Sequence, residues 1–168
     1  LKTAFDAPQT TFKINYESVG VLINECLRVN PRVRFLQASS SQIFVPSHLP
    51  LNEDSPRDWE TKNPYARAKM MADRDFIFGF EKRKGTFACS AILFNHESPR
   101  RSAKKDVLRK ITRTLARVKL NLEKCLPIGN LDMSRDWGFA GDYVLAMWQM
   151  LQTDTPEDLI VATGKIHS

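Results

Sequence analysis

The chain has 168 residues, of which 42% are hydrophobic and 26% are charged. This balance is typical of one globular domain with a buried core and excludes a disordered or low-complexity chain. No long apolar run predicts a transmembrane helix, and the first residues lack the pattern of a signal peptide. With three isolated cysteines, these features predict a cytoplasmic protein with reduced thiols and no membrane attachment.

The net charge of +6 comes from a local excess of basic residues. From charge alone, a solvated helix face and a site for phosphate groups explain this excess equally well. Nucleic acid is not expected as a partner, because no platform of interleaved aromatic residues accompanies the basic residues. The basic cluster consists of Arg100, Arg101, Lys104, Lys105, Arg109, Lys110, Arg113, Arg117 and Lys119.

The first predicted elements are a helix and a strand. Thr10 and Thr11 are expected to cap the helix, and apolar residues between 19 and 27 follow helical spacing up to the Asn30–Pro31 stop. Residues 33–38 are mostly apolar and predict a buried strand. This strand leads directly into a cluster of serines.

A proline-rich loop, a helix and a second strand follow. Residues 46–64 carry four prolines and show no periodicity, which indicates a loop. Asn63 is expected to cap the next helix, with Pro64 at its first position and the Lys84–Gly85 pair at its end. Residues 87–94 predict a second buried strand. The core stripe of the helix is predicted at Ala72, Phe76, Ile77 and Phe80.

The second half of the chain continues the alternation of helices and strands. Apolar residues from Val107 to Leu122 predict a long amphipathic helix, and a short strand is expected at 127–129. Residues 143–151 predict another helix, and residues 159–164 a final strand. Because strands alternate with helices, the predicted class is α/β with a largely parallel sheet.

A serine cluster, a tyrosine and a lysine follow one another along the chain, and their hydroxyl, phenol and amine groups could take part in acid/base chemistry. Ser39, Ser40 and Ser41 lie at the end of a predicted strand, where open α/β sheets place their ligands. Tyr65 and Lys69 are four positions apart on one helix and share a face, so the ammonium is expected to lower the pKa of the phenol. Such a pair alone is more often a surface tyrosine packed by a lysine stem. The serine cluster and the N-P-Y helix start favour the catalytic interpretation.

Several longer motifs extend this pattern. Residues 37–44 read Q-A-S-S-S-Q-I-F and residues 63–69 read N-P-Y-A-R-A-K. Further on are I-L-F-N-H-E-S-P-R-R at 92–101, R-K-I-T-R at 109–113 and R-D-W-G at 135–138. These segments resemble those of GDP-mannose 4,6-dehydratases, which are extended short-chain dehydrogenases that use NADP in nucleotide-sugar metabolism and GDP-fucose biosynthesis. The resemblance covers nearly the whole chain.

The resemblance implies a role for each matching residue. Tyr65 is expected to be the catalytic acid/base and Lys69 its partner, while Ser40 and Gln42 stand at the positions of the family's catalytic Thr and Glu. The remaining implied contacts are with NADP, at Lys69, His96 and Arg101, and with the diphosphate of GDP-mannose, at Asn95, Lys110 and Arg135.

The resemblance also implies a domain organisation. Residues 1–95 are expected to form the C-terminal part of an NADP-binding Rossmann-like domain with the catalytic residues. Residues 96–168 would supply substrate-binding segments and returning sheet elements. The family's glycine-rich loop and C-terminal end have no counterpart in this sequence, so we expect a partial chain that binds NADP weakly. Since family members form dimers and tetramers, a homo-oligomer is expected.

The main departure from the family pattern is Gln42, which stands where the family has a Glu that removes the proton from sugar carbon five. An amide cannot take up that proton at neutral pH. A missing general base typically lowers the rate by roughly a hundredfold to ten-thousandfold. Conversion of GDP-mannose to GDP-4-dehydro-6-deoxy-mannose is therefore expected to be impaired.

Three functions are compatible with these observations. The leading hypothesis is a partial GDP-mannose 4,6-dehydratase with impaired elimination. The second is a sugar-nucleotide epimerase or reductase, which would need hydride transfer but no elimination. The third is a non-catalytic paralogue that pairs with an active dehydratase.

Overall fold

The computed structural model describes residues 2–79, 85–102 and 106–168. Within these ranges the helices are α1 Lys2–Asp6, α2 Pro8–Phe12, α3 Ser18–Val29, α4 Pro64–Ala72, α5 Val107–Lys119 and α6 Ala140–Met150. The strands are β1 Arg34–Ser40, β2 Phe87–Leu93, β3 Asn95–Glu97, β4 Arg135–Phe139, β5 Leu159–Val161 and β6 Ile166–His167.

The chain begins in helical conformation well before the predicted cap. Helix α2 has Pro8 in its first turn, and a π-helical stretch over Lys13–Glu17 joins it to α3. The prediction that Thr10 and Thr11 cap a helix is wrong, because both lie inside helical segments. The predicted end is confirmed, since α3 stops at Val29 and Asn30 is in extended conformation.

The first sheet has the strand order β1–β2–β5, and both of its pairings are parallel. Along β1, Gln37 pairs with Ser90 and Ser40 pairs with Leu93. These two strands lie where the sequence predicted them, with β1 extended to Ser40. The predicted α/β class with a largely parallel sheet is confirmed.

Helix α4 and the segment after it pack against this sheet. Alanine and methionine side chains on α4 are buried, and a second π-helical stretch follows over Asp73–Phe78. Of the predicted core stripe, Ala72 and Ile77 are fully buried and Phe76 packs at the edge of the core. Phe80 and Lys84 lie outside the described residues, so the predicted end of this helix is not described.

The chain divides into two compact units. The first contains residues 1–94 and 145–161, and the second contains residues 95–144 and 162–168. Each of the three apolar core clusters belongs to the first unit. The division of functions between residues 1–95 and 96–168 stays a prediction.

The second unit contains a sheet with the order β3–β4–β6, in which β3 pairs with β4 in parallel and β6 is antiparallel. The prediction of a strand at 127–129 is wrong, because those residues form no strand and β4 begins at Arg135. The predicted helix at 107–122 is confirmed but ends at Lys119. Its stripe is largely open to solvent, since Leu115 and Leu122 are exposed.

The end of the chain follows the sequence prediction in part. Helix α6 covers the predicted helix at 143–151 except for its last residue, and β5 forms the first three residues of the predicted final strand. Strand β6 comes after it and was not predicted. Among the described residues, no helix has the length and apolar character to cross a membrane.

Candidate active site

The serine cluster lies at the carboxyl end of β1, as the sequence predicted. Ser40 is the last residue of the strand and is buried and extended. Its hydroxyl oxygen accepts a hydrogen bond from the backbone N–H of Gln42, at 3.3 Å. This contact caps the short 3₁₀ turn Ser41–Ile43 and fixes the place at which the chain leaves the sheet.

Asn63 connects that turn to helix α4. Its Oδ1 accepts a hydrogen bond from the backbone N–H of Tyr65, at 3.1 Å, and Pro64 occupies the first turn, as predicted. Its Nδ2 donates to Oε1 of Gln42, at 2.7 Å. The exposed Gln42 side chain is therefore held beside the start of the helix that carries Tyr65.

Tyr65 and Lys69 lie together on α4, with the Lys69 Nζ 5.7 Å from the centre of the Tyr65 ring. The hydroxyl of Ser40 is hydrogen-bonded to the Tyr65 phenol. Both α4 side chains are partly buried. The structure thus brings together Ser40, Tyr65 and Lys69, the hydroxyl, phenol and amine that the sequence singled out.

The expected fall in the pKa of Tyr65 is not found. Burial raises the pKa of the Tyr65 phenol, and its hydrogen bond with Ser40 opposes that rise while the charge of Asp73 adds to it. Burial also lowers the pKa of Lys69, against the effect of Asp73. The prediction was wrong because removal of a phenolate from water outweighs the local stabilising contacts.

Asp73 is a buried acidic residue of this region that the sequence analysis missed. Its carboxylate accepts hydrogen bonds from the hydroxyls of Ser39, on β1, and Ser90, on β2, the latter at 2.8 Å. Burial is the main cause that raises its pKa to about 6. Its position four residues after Lys69 in a helix was the available signal.

The remaining predicted site residues belong to the second unit. The backbone carbonyl of Asn95 accepts a hydrogen bond from the Tyr143 hydroxyl at 3.4 Å, and the rings of His96 and Tyr143 lie 4.9 Å apart. Exposed Arg101 pairs with Glu97 at 3.2 Å. The predicted phosphate-binding residues differ in surroundings: Lys110 donates to the backbone carbonyl of Pro127, and exposed Arg135 donates to that of Ser134.

Part of the basic cluster lines a cavity in the second unit. This cavity has a volume of about 260 Å³. Arg113 and Arg117 therefore line a cavity, and Arg117 also pairs with Glu123 at 2.7 Å. Lys104 and Lys105 lie outside the described residues. The residues that line the cavity are Lys110, Arg113, Thr114, Arg117 and Glu123.

A family model described as GDP-mannose 4,6 dehydratase matches residues 1–168. The chain belongs to this family. It is 43% identical over 167 residues to GDP-mannose 4,6-dehydratase of Yersinia enterocolitica, a match that covers 96% of this chain and 43% of that protein. It is 41% identical over 174 residues to the Homo sapiens GDP-mannose 4,6 dehydratase, with 100% of this chain and 45% of that protein covered.

Solved structures agree with this membership of the GDP-mannose 4,6-dehydratase family at the level of fold. The structure of RMD from Pseudomonas aeruginosa complexed with NADPH matches with a TM-score of 0.90 and 25% identity, over 99% of this chain and 57% of that one. The predicted Rossmann-like fold is confirmed. The chain spans less than half the length of the two dehydratases named above.

Proposed function

We propose that this segment carries the acid/base site of a GDP-mannose 4,6-dehydratase. It would act with NADP to convert GDP-mannose to GDP-4-dehydro-6-deoxy-mannose. The observation that carries the proposal is the grouping of Ser40, Tyr65 and Lys69 at the end of β1, in a chain that matches the family model from residue 1 to residue 168.

Tyr65 has the geometry of a proton carrier. As a phenolate it would take the proton from a sugar hydroxyl, and as a phenol it would return it. The Ser40 hydroxyl, which is already hydrogen-bonded to Tyr65, would hold the same sugar oxygen. Burial raises the pKa of Tyr65. A bound substrate or cofactor would therefore have to favour the phenolate, by placing a hydrogen-bond donor or a positive charge beside it.

Lys69 fits the nicotinamide end of a dinucleotide. Within the described ranges its ammonium has no hydrogen-bond partner, although the side chain is partly buried. Its three N–H donors would therefore be available to the ribose hydroxyls of the cofactor. A nicotinamide ring bound there would supply the hydride acceptor. The contacts of His96 and Arg101 with NADP stay predictions.

The cavity beside Lys110 supports a phosphate-binding role for α5. Three cationic side chains line it, and guanidinium and ammonium groups are the donors that diphosphates attract. Asn95 and Arg135 would complete the contacts that the family resemblance implies. We also propose that the whole protein is a homo-oligomer, as the resemblance predicts.

Gln42 is proposed to limit the elimination step. Its amide lies on the turn after Ser40 and is hydrogen-bonded to Asn63, but it has no basic atom that could accept a proton from carbon. This observation favours hydride transfer without loss of water as the second candidate function, as in an epimerase or reductase.

The test is an assay of the full-length protein that carries this segment, with GDP-mannose and NADP⁺, in which the loss of water is followed by mass spectrometry. Gln42→Glu restores a carboxylate and should raise the dehydration rate by roughly a hundredfold or more. Tyr65→Phe should abolish conversion of the sugar, whereas Tyr16→Phe, which alters a phenol bound to Asp75, should not.

Each result separates the candidates. NADPH formation without loss of water in the unaltered chain would support the epimerase or reductase. Normal dehydration with Gln42 in place would contradict the proposed impairment, and dehydration that survives Tyr65→Phe would overturn the assignment of the acid/base.

A further inference from the structure

Asp73 extends the helical row that carries the candidate catalytic pair. Lys69 lies four residues after Tyr65, and Asp73 lies four residues after Lys69, at the point where α4 passes into the π-helical stretch. Residues at this spacing lie on the same side of a helix. The Asp73 residue is only 4% exposed, so its carboxylate is held away from water.

Two serines on neighbouring strands hold the Asp73 carboxylate in place. Ser39 donates from β1 to one carboxylate oxygen, and Ser90 donates from β2 to the other. Ser39 directly precedes Ser40, whose hydroxyl is bonded to Tyr65. The same strand end therefore contacts both the phenol and the carboxylate, through the neighbouring residues Ser40 and Ser39.

The cation on which the Asp73 charge acts is Lys69. Arg57 and Arg74 line a cavity with Asp73 but are engaged elsewhere. The Arg74 guanidinium pairs with Asp75 at 2.6 Å, and that of Arg57 stacks 4.7 Å from the centre of the Phe44 ring.

Asp158 is the other acidic group that faces this region. Its carboxylate accepts a hydrogen bond from the backbone N–H of Ser90, and its charge repels that of Asp73. The positive charge of Arg57 lowers the pKa of Asp158 and so favours its charged form. A buried carboxylate is unfavourable unless hydrogen bonds and a nearby cation compensate its charge. Ser39 and Ser90 supply the hydrogen bonds, and Lys69 is the cation whose charge opposes the rise in the pKa of Asp73.

We propose that Asp73 is a positioning residue for the Tyr65–Lys69 pair: its carboxylate charge keeps Lys69 in the ammonium form and opposes ionisation of the Tyr65 phenol. The inference deepens the proposed function, because it rests on Tyr65 as the acid/base. It adds a group that would act through the pair and would not touch the substrate.

The pair should respond to pH near the pKa of Asp73, which is raised to about 6. At neutral pH the carboxylate is charged, and its charge raises the pKa of Tyr65 and that of Lys69. Once Asp73 takes up a proton, both effects disappear and the phenolate becomes easier to form.

The direct test follows the three tyrosines by NMR in the chain labelled with ¹³C at the phenol carbon, with Tyr65→Phe to assign the signal. Asp73→Asn should lower the pKa of Tyr65 and leave those of Tyr16 and Tyr143 in place. Asp75→Asn is the matched control: Asp75 accepts a hydrogen bond from Tyr16 at 3.0 Å and raises its pKa, so this variant should shift Tyr16 alone. An unchanged Tyr65 in Asp73→Asn would overturn the proposal.

The unaltered chain provides a second measurement that needs no variant to fold. The Tyr65 carbon signal should show an inflection near pH 6 as Asp73 takes up its proton, and a flat signal there would contradict the coupling. In the enzyme assay, Asp73→Asn should move the acid limb of the pH–rate profile to lower pH. If the NMR coupling is found but Tyr65→Phe keeps full turnover, the coupling stands and the proposed function fails.

Discussion

Burial of the Asp73 carboxylate has a consequence for stability as well as for chemistry. Its pKa is raised from 3.8 to about 6 in the folded chain, so the folded state binds this proton more tightly than the unfolded state. Linkage then makes the free energy of unfolding decrease as the pH rises through this window. At neutral pH the charged carboxylate destabilises the fold by about 3 kcal/mol, because one pKa unit corresponds to about 1.4 kcal/mol.

Asp73→Asn should therefore stabilise the chain at pH 7. The amide can accept a hydrogen bond from one serine and donate to the other, so the contacts of Ser39 and Ser90 can be kept. Urea denaturation at pH 5 and pH 7 measures the effect, which should be larger at pH 7.

Asp75→Asn provides a control of opposite sign. Arg74 lowers the pKa of Asp75, so its contribution to stability is present at neutral pH and is lost as the pH falls. This variant should destabilise the chain at pH 7. Equal effects of the two substitutions would show that the charge of Asp73 is not the cause.

Among single residues, the sequence was sufficient to predict that Ser40, Tyr65 and Lys69 lie together, and insufficient to predict that Asp73 contacts Ser39 and Ser90. The first three residues belong to a short pattern in which type and order carry the information. The contacts of Asp73 join a helix to β1 and β2, and Ser90 lies 17 positions away along the chain. Such contacts depend on strand register and side-chain direction, which the local pattern does not contain.

At the scale of elements, Asn63 joins the start of α4 to the turn after β1. Asn63→Ala removes the cap on the Tyr65 N–H and the bond to Gln42, and should lower the free energy of unfolding by about 1 kcal/mol. Asn63→Asp keeps an acceptor for the cap but cannot donate to Gln42. Chemical denaturation should therefore place Asn63→Asp closer to the unaltered chain, and an equal loss in both variants would show that the cap is not the main contribution.

The long elements of the first unit could be predicted because each has a strong local signal. Strand β1 follows a short, mostly apolar segment at residues 33–38, and α4 begins with Asn63 and Pro64, a cap followed by a residue suited to the first turn. The π-helical stretches at 13–17 and 73–78 have no comparable signal. The strand predicted at 127–129 was wrong for a related reason. The short strands of the second sheet depend on pairing between distant segments, which a local sequence pattern does not reveal.

The two units of the whole molecule differ in how much apolar surface they bury. The three core clusters lie in the first unit, whereas Tyr143 is the single buried large apolar side chain among the described residues of the second. In the second unit, polar contacts join β4 to the residues before β6. Asp136 on β4 accepts hydrogen bonds from the N–H of Thr163, at 3.0 Å, and of Gly164, at 2.8 Å. Regions with little buried apolar surface open at lower free energy than core strands.

Hydrogen exchange should therefore reveal unequal stability within one chain. We expect the amides of β4 and β6 to exchange faster than those of β1 and β2. Asp136→Asn should weaken the second unit further, by roughly 1–3 kcal/mol of opening free energy, because an amide nitrogen replaces an acceptor that faces N–H donors. Exposed Asp132 lies nearby on the chain, and Asp132→Asn should leave exchange unchanged. If Asp136→Asn accelerated exchange equally in β1 and β2, the two units would open as one, and their separate stabilities would be disproved.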